Sequence, residues 1–150
     1  MSAALHLGKP ADLDRLLPLV AAFHAETHIA QSDEGRRAGI APLLEGSPLG
    51  AVYMVGPALA PVGYVVVTFG WSVEFGGMDG FIDEIYIRPG VRGRGIATEV
   101  LTGLCKALGE AGVMALHLEV NKDDEDTRRL YERMHFRPRD RYTLMSRTLS

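Results

Sequence analysis

Asp83 and Glu84 stand side by side in an apolar run, Phe81-Ile82-Asp83-Glu84-Ile85-Tyr86-Ile87. Its β-branched and aromatic residues read as a strand. Paired carboxylates in such a place suit general acid–base work. Arg88-Pro89-Gly90 ends the run, because Pro89 has no N–H to give a ladder. Arg92-Gly93-Arg94-Gly95-Ile96-Ala97-Thr98 follows and reads as a loop opening a helix. A helix N-terminus carries free amides and the positive end of the dipole. Consecutive amides in a glycine loop also form a concave nest for phosphate oxygens. Carboxylates beside such a cradle imply a site for a phosphorylated cofactor, with cations at Arg92 and Arg94.

Other residue patterns in the chain point to other chemistries, each less complete. Gly93-x-Gly95 is the start of a dinucleotide fingerprint, but Thr98 stands where the third glycine belongs. No Gly-x-x-x-x-Gly-Lys-Ser/Thr stretch occurs, which argues against a P-loop. His24 and His28 are spaced for one helix face, yet no third ligand accompanies them, so no metal is expected. They either line a pocket at the end of the first helix or lie on the surface. His117, between Leu116 and Leu118, reads as packed or exposed and Cys105 as a buried thiol. Trp71 and Phe75, with Glu74 to attract a cation, either wall a pocket or pack a hairpin.

The elements that position these groups follow from periodicity. Residues 4–7 form a short strand. Leu13, Leu16, Leu17, Val20 and Phe23 recur near helical period to about Thr27, with Asp12 at the start and Pro18 inside, where a kink or a shifted start is expected. Ser32-Asp33-Glu34 opens a second helix towards Leu44, opposed by Gly35, Gly39 and Pro42. Residues 51–55 and 62–69 are antiparallel strands, and residues 71–80 a long polar connection. A helix over residues 96–109 buries Ile96, Val100, Leu104 and Leu108 and stops at Gly112. Residues 115–120 are a strand, residues 123–134 a helix with acids in its first turn, and Phe136 and residues 142–149 the last strands. The fold class is therefore α+β. It is a mixed, mostly antiparallel sheet with splayed parallel central strands, flanked by about four helices.

A chain of 150 residues is the size of one domain, here residues 1–150. Its net charge of −3 opposes non-specific nucleic-acid binding, which wants a basic face. One cysteine excludes a disulfide framework and a Cys-rich zinc site. Met1-Ser2-Ala3-Ala4-Leu5-His6 lacks the features of a signal peptide, and no apolar run spans a membrane. A cytoplasmic protein with no membrane partner is the expectation.

The loop Arg92-Gly93-Arg94-Gly95-Ile96-Ala97 resembles the Arg/Gln-x-x-Gly-x-Gly/Ala pyrophosphate motif of the GNAT superfamily, the GCN5-related N-acetyltransferases. The stretch from Asp124 through Leu130-Tyr131 to Phe136 resembles that family's Asn-x-x-Ala-x-x-Leu-Tyr-x-x-x-Gly-Phe segment. Asp124 stands in place of the asparagine, Thr127 of the alanine, and His135 of the glycine that takes positive φ. Histidine tolerates that region better than a β-branched residue, so strain without loss of fold is expected there.

The resemblance implies acetyl transfer from acetyl-CoA, as co-substrate, to a primary amine of a small molecule or peptide, by direct attack in a ternary complex. It implies Tyr131 as general acid and Asp83 as base, with Glu84 the other candidate. Adjacent strand residues point to opposite faces, so at most one of the two acids faces the amine directly and the other caps or pairs. It implies cofactor contacts from Arg92, Gly93, Arg94, Gly95, Ile96, Ala97 and Thr98 to the pyrophosphate. The pantetheine arm would run along Ile85, Tyr86 and Ile87 as an added strand; Asn121 either bonds that arm or the acceptor or serves a turn, and Asp124 stands where the family's asparagine contacts the cofactor. A non-catalytic acyl-CoA-binding module, or a different acyl donor, is the alternative. The last strand is the element a homodimer would exchange or pair.

Overall fold

The structure, a computed structural model, describes residues 5–150. The expected strand start at Ala4 lies outside them. The chain divides into two compact units, Met1–Glu119 and Val120–Ser150.

The first unit is built on one sheet of strands β1 (Leu5–Leu7), β2 (Gly50–Val55), β3 (Gly63–Ser72), β4 (Gly77–Ile87) and β5 (Ala115–Leu118), in that spatial order. Neighbours are antiparallel except β4 and β5, which are parallel. Parallel strands need a crossover, and helix α3 (Ile96–Glu110) supplies it. Helices α1 (Leu13–Glu26) and α2 (Asp33–Leu44) lie between β1 and β2 in the chain.

Helix α1 buries Leu16, Val20 and His24, one residue per turn along a single stripe. Pro18 is exposed and lies inside α1 without ending it. Ser32 caps α2 by accepting the Gly35 N–H at 2.9 Å, and Asp33 and Glu34 occupy its first turn, the favourable end of the dipole. The cap is worth about 1 kcal/mol, less than Gly35, Gly39 and Pro42 together cost, so burial of Ile40 and Leu44 must hold α2. Leu16, Val20, Ile40 and Leu44 close on Val52, Met54, Tyr64, Val66 and Tyr86 of the sheet. Each such side chain stabilises the fold by about 1.5–3 kcal/mol on burial. Helix α3 buries Val100, Leu101, Leu104 and Leu108. Cys105, expected to be buried, is exposed because it follows Leu104 by 100° around the helix.

The connection expected over residues 71–80 is mostly strand. Gly70↔Asp79, Trp71↔Met78 and Ser72↔Gly77 are paired, so β3 and β4 turn over residues 73–76 alone. Gly76, at φ 78°, permits the turn. The polar, glycine-rich composition hid a ladder held by backbone bonds.

The second unit holds helix α4 (Glu125–Arg133). His135 takes φ 72°, its N–H bonds the Glu132 carbonyl at 3.0 Å and the Phe136 N–H bonds that of Tyr131 at 3.0 Å. This is a Schellman ending, which requires a left-handed residue at that point. The strands expected at Phe136 and over residues 142–149 do not form. Tyr142, Leu144, Met145 and Leu149 are exposed, and a strand without a ladder partner has nothing to hold it extended. Among the described residues no helix is long and apolar enough to cross a membrane.

Candidate functional site

The two adjacent acids are separated by a β-bulge. Val66 pairs with Glu84 and Val67 with Ile82, so the ladder skips Asp83. Partners across a ladder share a face. Val66 belongs to the core beneath α1 and α2, which puts Glu84 on that face with Tyr86. Ile82 and Ile85, opposite Val67 and Val65, take the other face. Simple alternation would have put Ile82 with Glu84. The bulge resets the phase and leaves Asp83 as the extra residue, a common device for re-aiming a side chain.

Glu84 is enclosed and fully engaged. Its Oε2 lies 2.6 Å from His24 Nε2, and its Oε1 accepts the Tyr64 hydroxyl proton at 2.8 Å. Tyr64 is wholly buried, and the Glu84 side chain is only 14% exposed. Burial first, then the negative charge of Glu84, push the Tyr64 phenol far above its usual range, so it stays a donor. Arg36 of α2 donates from Nε to His24 Nδ1 at 3.2 Å and from Nη1 to Asp33 at 2.9 Å.

Asp83 is exposed and takes no side-chain hydrogen bond among the described residues. Partial desolvation first, then the charges of Glu84 and Glu119, raise its pKa, with His24 pulling the other way. A carboxylate with a raised pKa and unengaged oxygens is chemically able to accept a proton.

Beyond these acids β4 has an open edge among the described residues. β5 pairs with it as far as Leu118, opposite Ile82, whereas β4 continues to Ile87. The Arg88 N–H points to β3, bonding the Val62 carbonyl at 2.8 Å. By alternation the Ile87 and Ile85 amides point to the open edge. The edge ends in a turn over Pro89–Val91 and then the glycine loop. Gly93 (φ 78°) and Gly95 (φ 79°) are left-handed, and Gly95 is the N-cap of α3 with no side chain capping the helix. A Cβ on either would meet nothing within 4 Å, so the loop needs glycine for its backbone shape and faces open space. The first amides of α3, including those of Ile96, Ala97 and Thr98, have no intrahelical acceptor.

Arg92 and Arg94 part company here. Arg92 grips the Glu26 carboxylate from Nη1 at 2.7 Å and Nη2 at 2.6 Å, donates from Nε to the Ile87 carbonyl at 2.7 Å, and lies over the Tyr86 ring at 5.5 Å. The hydrogen bond to Glu26 raises its pKa further. Arg94 is exposed and makes no ion pair among the described residues.

In the second unit, Tyr131 of α4 packs edge-on against Phe136, with ring centroids 5.9 Å apart. Burial, then the Asp124 charge, raise its pKa, so the hydroxyl remains protonated. Asp124 Oδ1 accepts the Thr127 N–H at 3.1 Å as the N-cap of α4. Asn121 Oδ1 accepts the Asp123 N–H at 2.9 Å, an Asx turn. Both oxygens thus serve local backbone.

Sequence reasoning placed His24 only as a pocket or surface residue, and it missed Tyr64, Arg36 and Glu26. The signal was present: Leu16, Val20 and His24 share one stripe, as do Leu44, Ile40 and Arg36. A polar group in phase with a buried stripe must find a partner. His24 and His28 do not form a pair, because α1 ends at Glu26 and His28 turns to φ 60°. His117 meets Asp79 at 3.1 Å and the Phe75 ring at 5.5 Å. Trp71 is exposed on β3.

The model of the Acetyltransferase (GNAT) family matches residues 21–136. An integron cassette protein from the mobile metagenome of Cole Harbour Salt Marsh superposes with a TM-score of 0.83 at 27% identity, over 97% of this chain and 90% of that one. The ribosomal-protein-alanine N-acetyltransferase of Brucella melitensis biovar Abortus 2308 gives 0.77 at 22% identity, over 99% and 100%. The aminoglycoside N-acetyltransferase AAC(6')-Iy, solved with CoA, gives 0.81 at 11% identity, over 98% and 95%. The last two likenesses are of fold. No curated protein matches the sequence.

Proposed function

The chain belongs to the GNAT acetyltransferase family, and from that premise we propose that it transfers an acetyl group from acetyl-CoA to a primary amine of a small molecule or peptide. Residues 1–150 act as a single catalytic domain in this reading. The observation that carries it is the open edge of β4, running past Asp83 into a glycine loop and an uncapped helix N-terminus. Amides of Ile85 and Ile87 hold the amide-rich arm of the co-substrate as a strand would. Amides of residues 92–98, with Arg94, meet its pyrophosphate.

An alkylammonium with a pKa of about 10.4 costs about 4.6 kcal/mol to deprotonate at pH 7. Asp83, directly or through water, takes that proton. The amine nitrogen then attacks the thioester carbon, the C–S bond breaks, and the Tyr131 hydroxyl gives its proton to the departing thiolate; the second proton, shed by the acylated nitrogen, returns through solvent to restore the Tyr131 hydroxyl. Glu84 is the fixed anion behind the exchange.

The test is thiol release from acetyl-CoA across a broad amine panel, with wild type beside Tyr131→Phe. Release above solvent background with at least one amine, lost in the variant, supports the reading. Tight acetyl-CoA binding with no release for any amine would make the protein an acyl-CoA-binding module instead.

A further inference from the structure

We propose that Arg36 is a positioning residue that sets the proton on His24 and so locks Glu84 in place beneath the acceptor amine. The inference rests on the acetyltransferase reading but draws on contacts that reading does not use.

A guanidinium only donates. Arg36 Nε–H points at His24 Nδ1 at 3.2 Å, so Nδ1 must be the acceptor. The imidazole proton therefore sits on Nε2 and is donated to Glu84 Oε2 at 2.6 Å. The Tyr64 hydroxyl holds the other oxygen at 2.8 Å. Four elements meet in this chain of bonds: α2 through Arg36, α1 through His24, β3 through Tyr64 and β4 through Glu84. The titratable and charged groups about His24 are Glu84 and Asp83 on β4 and Arg36 with its partner Asp33 on α2, with Tyr64 on β3 reaching it through Glu84.

The consequence is a division of labour. With both oxygens engaged, Glu84 cannot swing to collect a proton, and its side chain pins the residue next to the bulge. Asp83 is left as the unengaged acid. Were the Arg36 donor removed, Nδ1 would be free to bind a proton or to exchange tautomers. The imidazole could then turn away from Glu84, and the acid beside Asp83 would lose its fixed charge and orientation. Helix α2, through Arg36, would thus govern turnover.

The experiment is nitrogen-15 NMR of the histidine side chains in wild type, Arg36→Met and Asp33→Asn, with steady-state kinetics on the best amine of the panel. Wherever the ring is neutral, wild type should show the His24 proton on Nε2 and a bare Nδ1. Asp33→Asn, which leaves the Nε donor intact, should show the same. Arg36→Met should show a mixed or doubly protonated ring, with kcat lowered about tenfold or more and the KM for acetyl-CoA unchanged. A wild-type ring protonated at Nδ1 overturns the proposal, even if the methionine variant fails to fold. So does an Arg36→Met enzyme with altered His24 signals and wild-type kcat. A wild type inert on every amine sinks the acetyltransferase reading and the kinetic half with it, while the NMR result still decides the tautomer.

Discussion

Arg92 and Glu26 form a two-pronged ion pair, Nη1 at 2.7 Å and Nη2 at 2.6 Å, that ties the end of β4 to the last residue of α1. The glycine loop therefore starts from an anchored residue whose charge is already answered. The two arginines of the motif divide into a strut and a cation that makes no ion pair among the described residues. Arg94→Ala should raise the KM for acetyl-CoA severalfold and leave the melting temperature unchanged. Arg92→Ala should instead lower stability by about 1–3 kcal/mol, through the lost Ile87 carbonyl bond and ring contact more than the half-exposed ion pair. Thermal melts beside acetyl-CoA titrations separate the two.

Asp83 and Glu84 should respond in opposite ways. Glu84→Ala leaves the buried Tyr64 hydroxyl and the His24 N–H without an acceptor, at a cost of about 1–3 kcal/mol each. Asp83→Asn should stabilise the fold at neutral pH. The folded-state pKa of Asp83 is raised, so its contribution is fully present below the ordinary 3.8 and is lost as pH rises through the raised value. The melting-temperature difference between Asp83→Asn and wild type should thus be small in acid and grow towards neutrality in favour of the variant. The same variant should lose turnover by about 10²–10⁴-fold. Full turnover in Asp83→Asn would remove it as base.

Tyr131→Phe should keep acetyl-CoA binding and lower kcat by about 10²-fold or more, the usual range for losing a positioned acid. The ring contact with Phe136 survives the substitution, so stability should be nearly unchanged. A variant with wild-type kcat would leave Tyr131 a packing residue.

His135→Gly should stabilise the protein by up to about 1 kcal/mol, because φ 72° costs a Cβ-bearing residue about 1–2 kcal/mol while glycine loses more freedom on folding. Denaturant unfolding measures it. A destabilised variant would mean that the histidine side chain earns its place by contacts not visible at the helix end.

Local pattern accounts for much of the architecture. The stripes Leu16-Val20 and Ile40-Leu44 and the Ser32 cap dictate α1 and α2, because period and capping are short-range. Gly93 and Gly95 dictate a left-handed loop opening α3, and His135 in a glycine position announced the end of α4, because backbone sterics act residue by residue. Residues 142–149 show the converse: strand-like composition makes no strand without a partner.

Only the folded chain decided the character of the acids. Which of Asp83 and Glu84 is engaged depends on a one-residue slip against Val66 and Val67. Strand propensity carries no trace of it, since a bulge is a mismatch between two strands and belongs to neither. The environment of Glu84 comes from His24, Tyr64 and Arg36, distant in the sequence and brought together by three other elements. Proton affinity and hydrogen-bond occupancy depend on distance in space. A chain read in order names the groups able to do the chemistry; their neighbours across the fold determine which of them is free to do it.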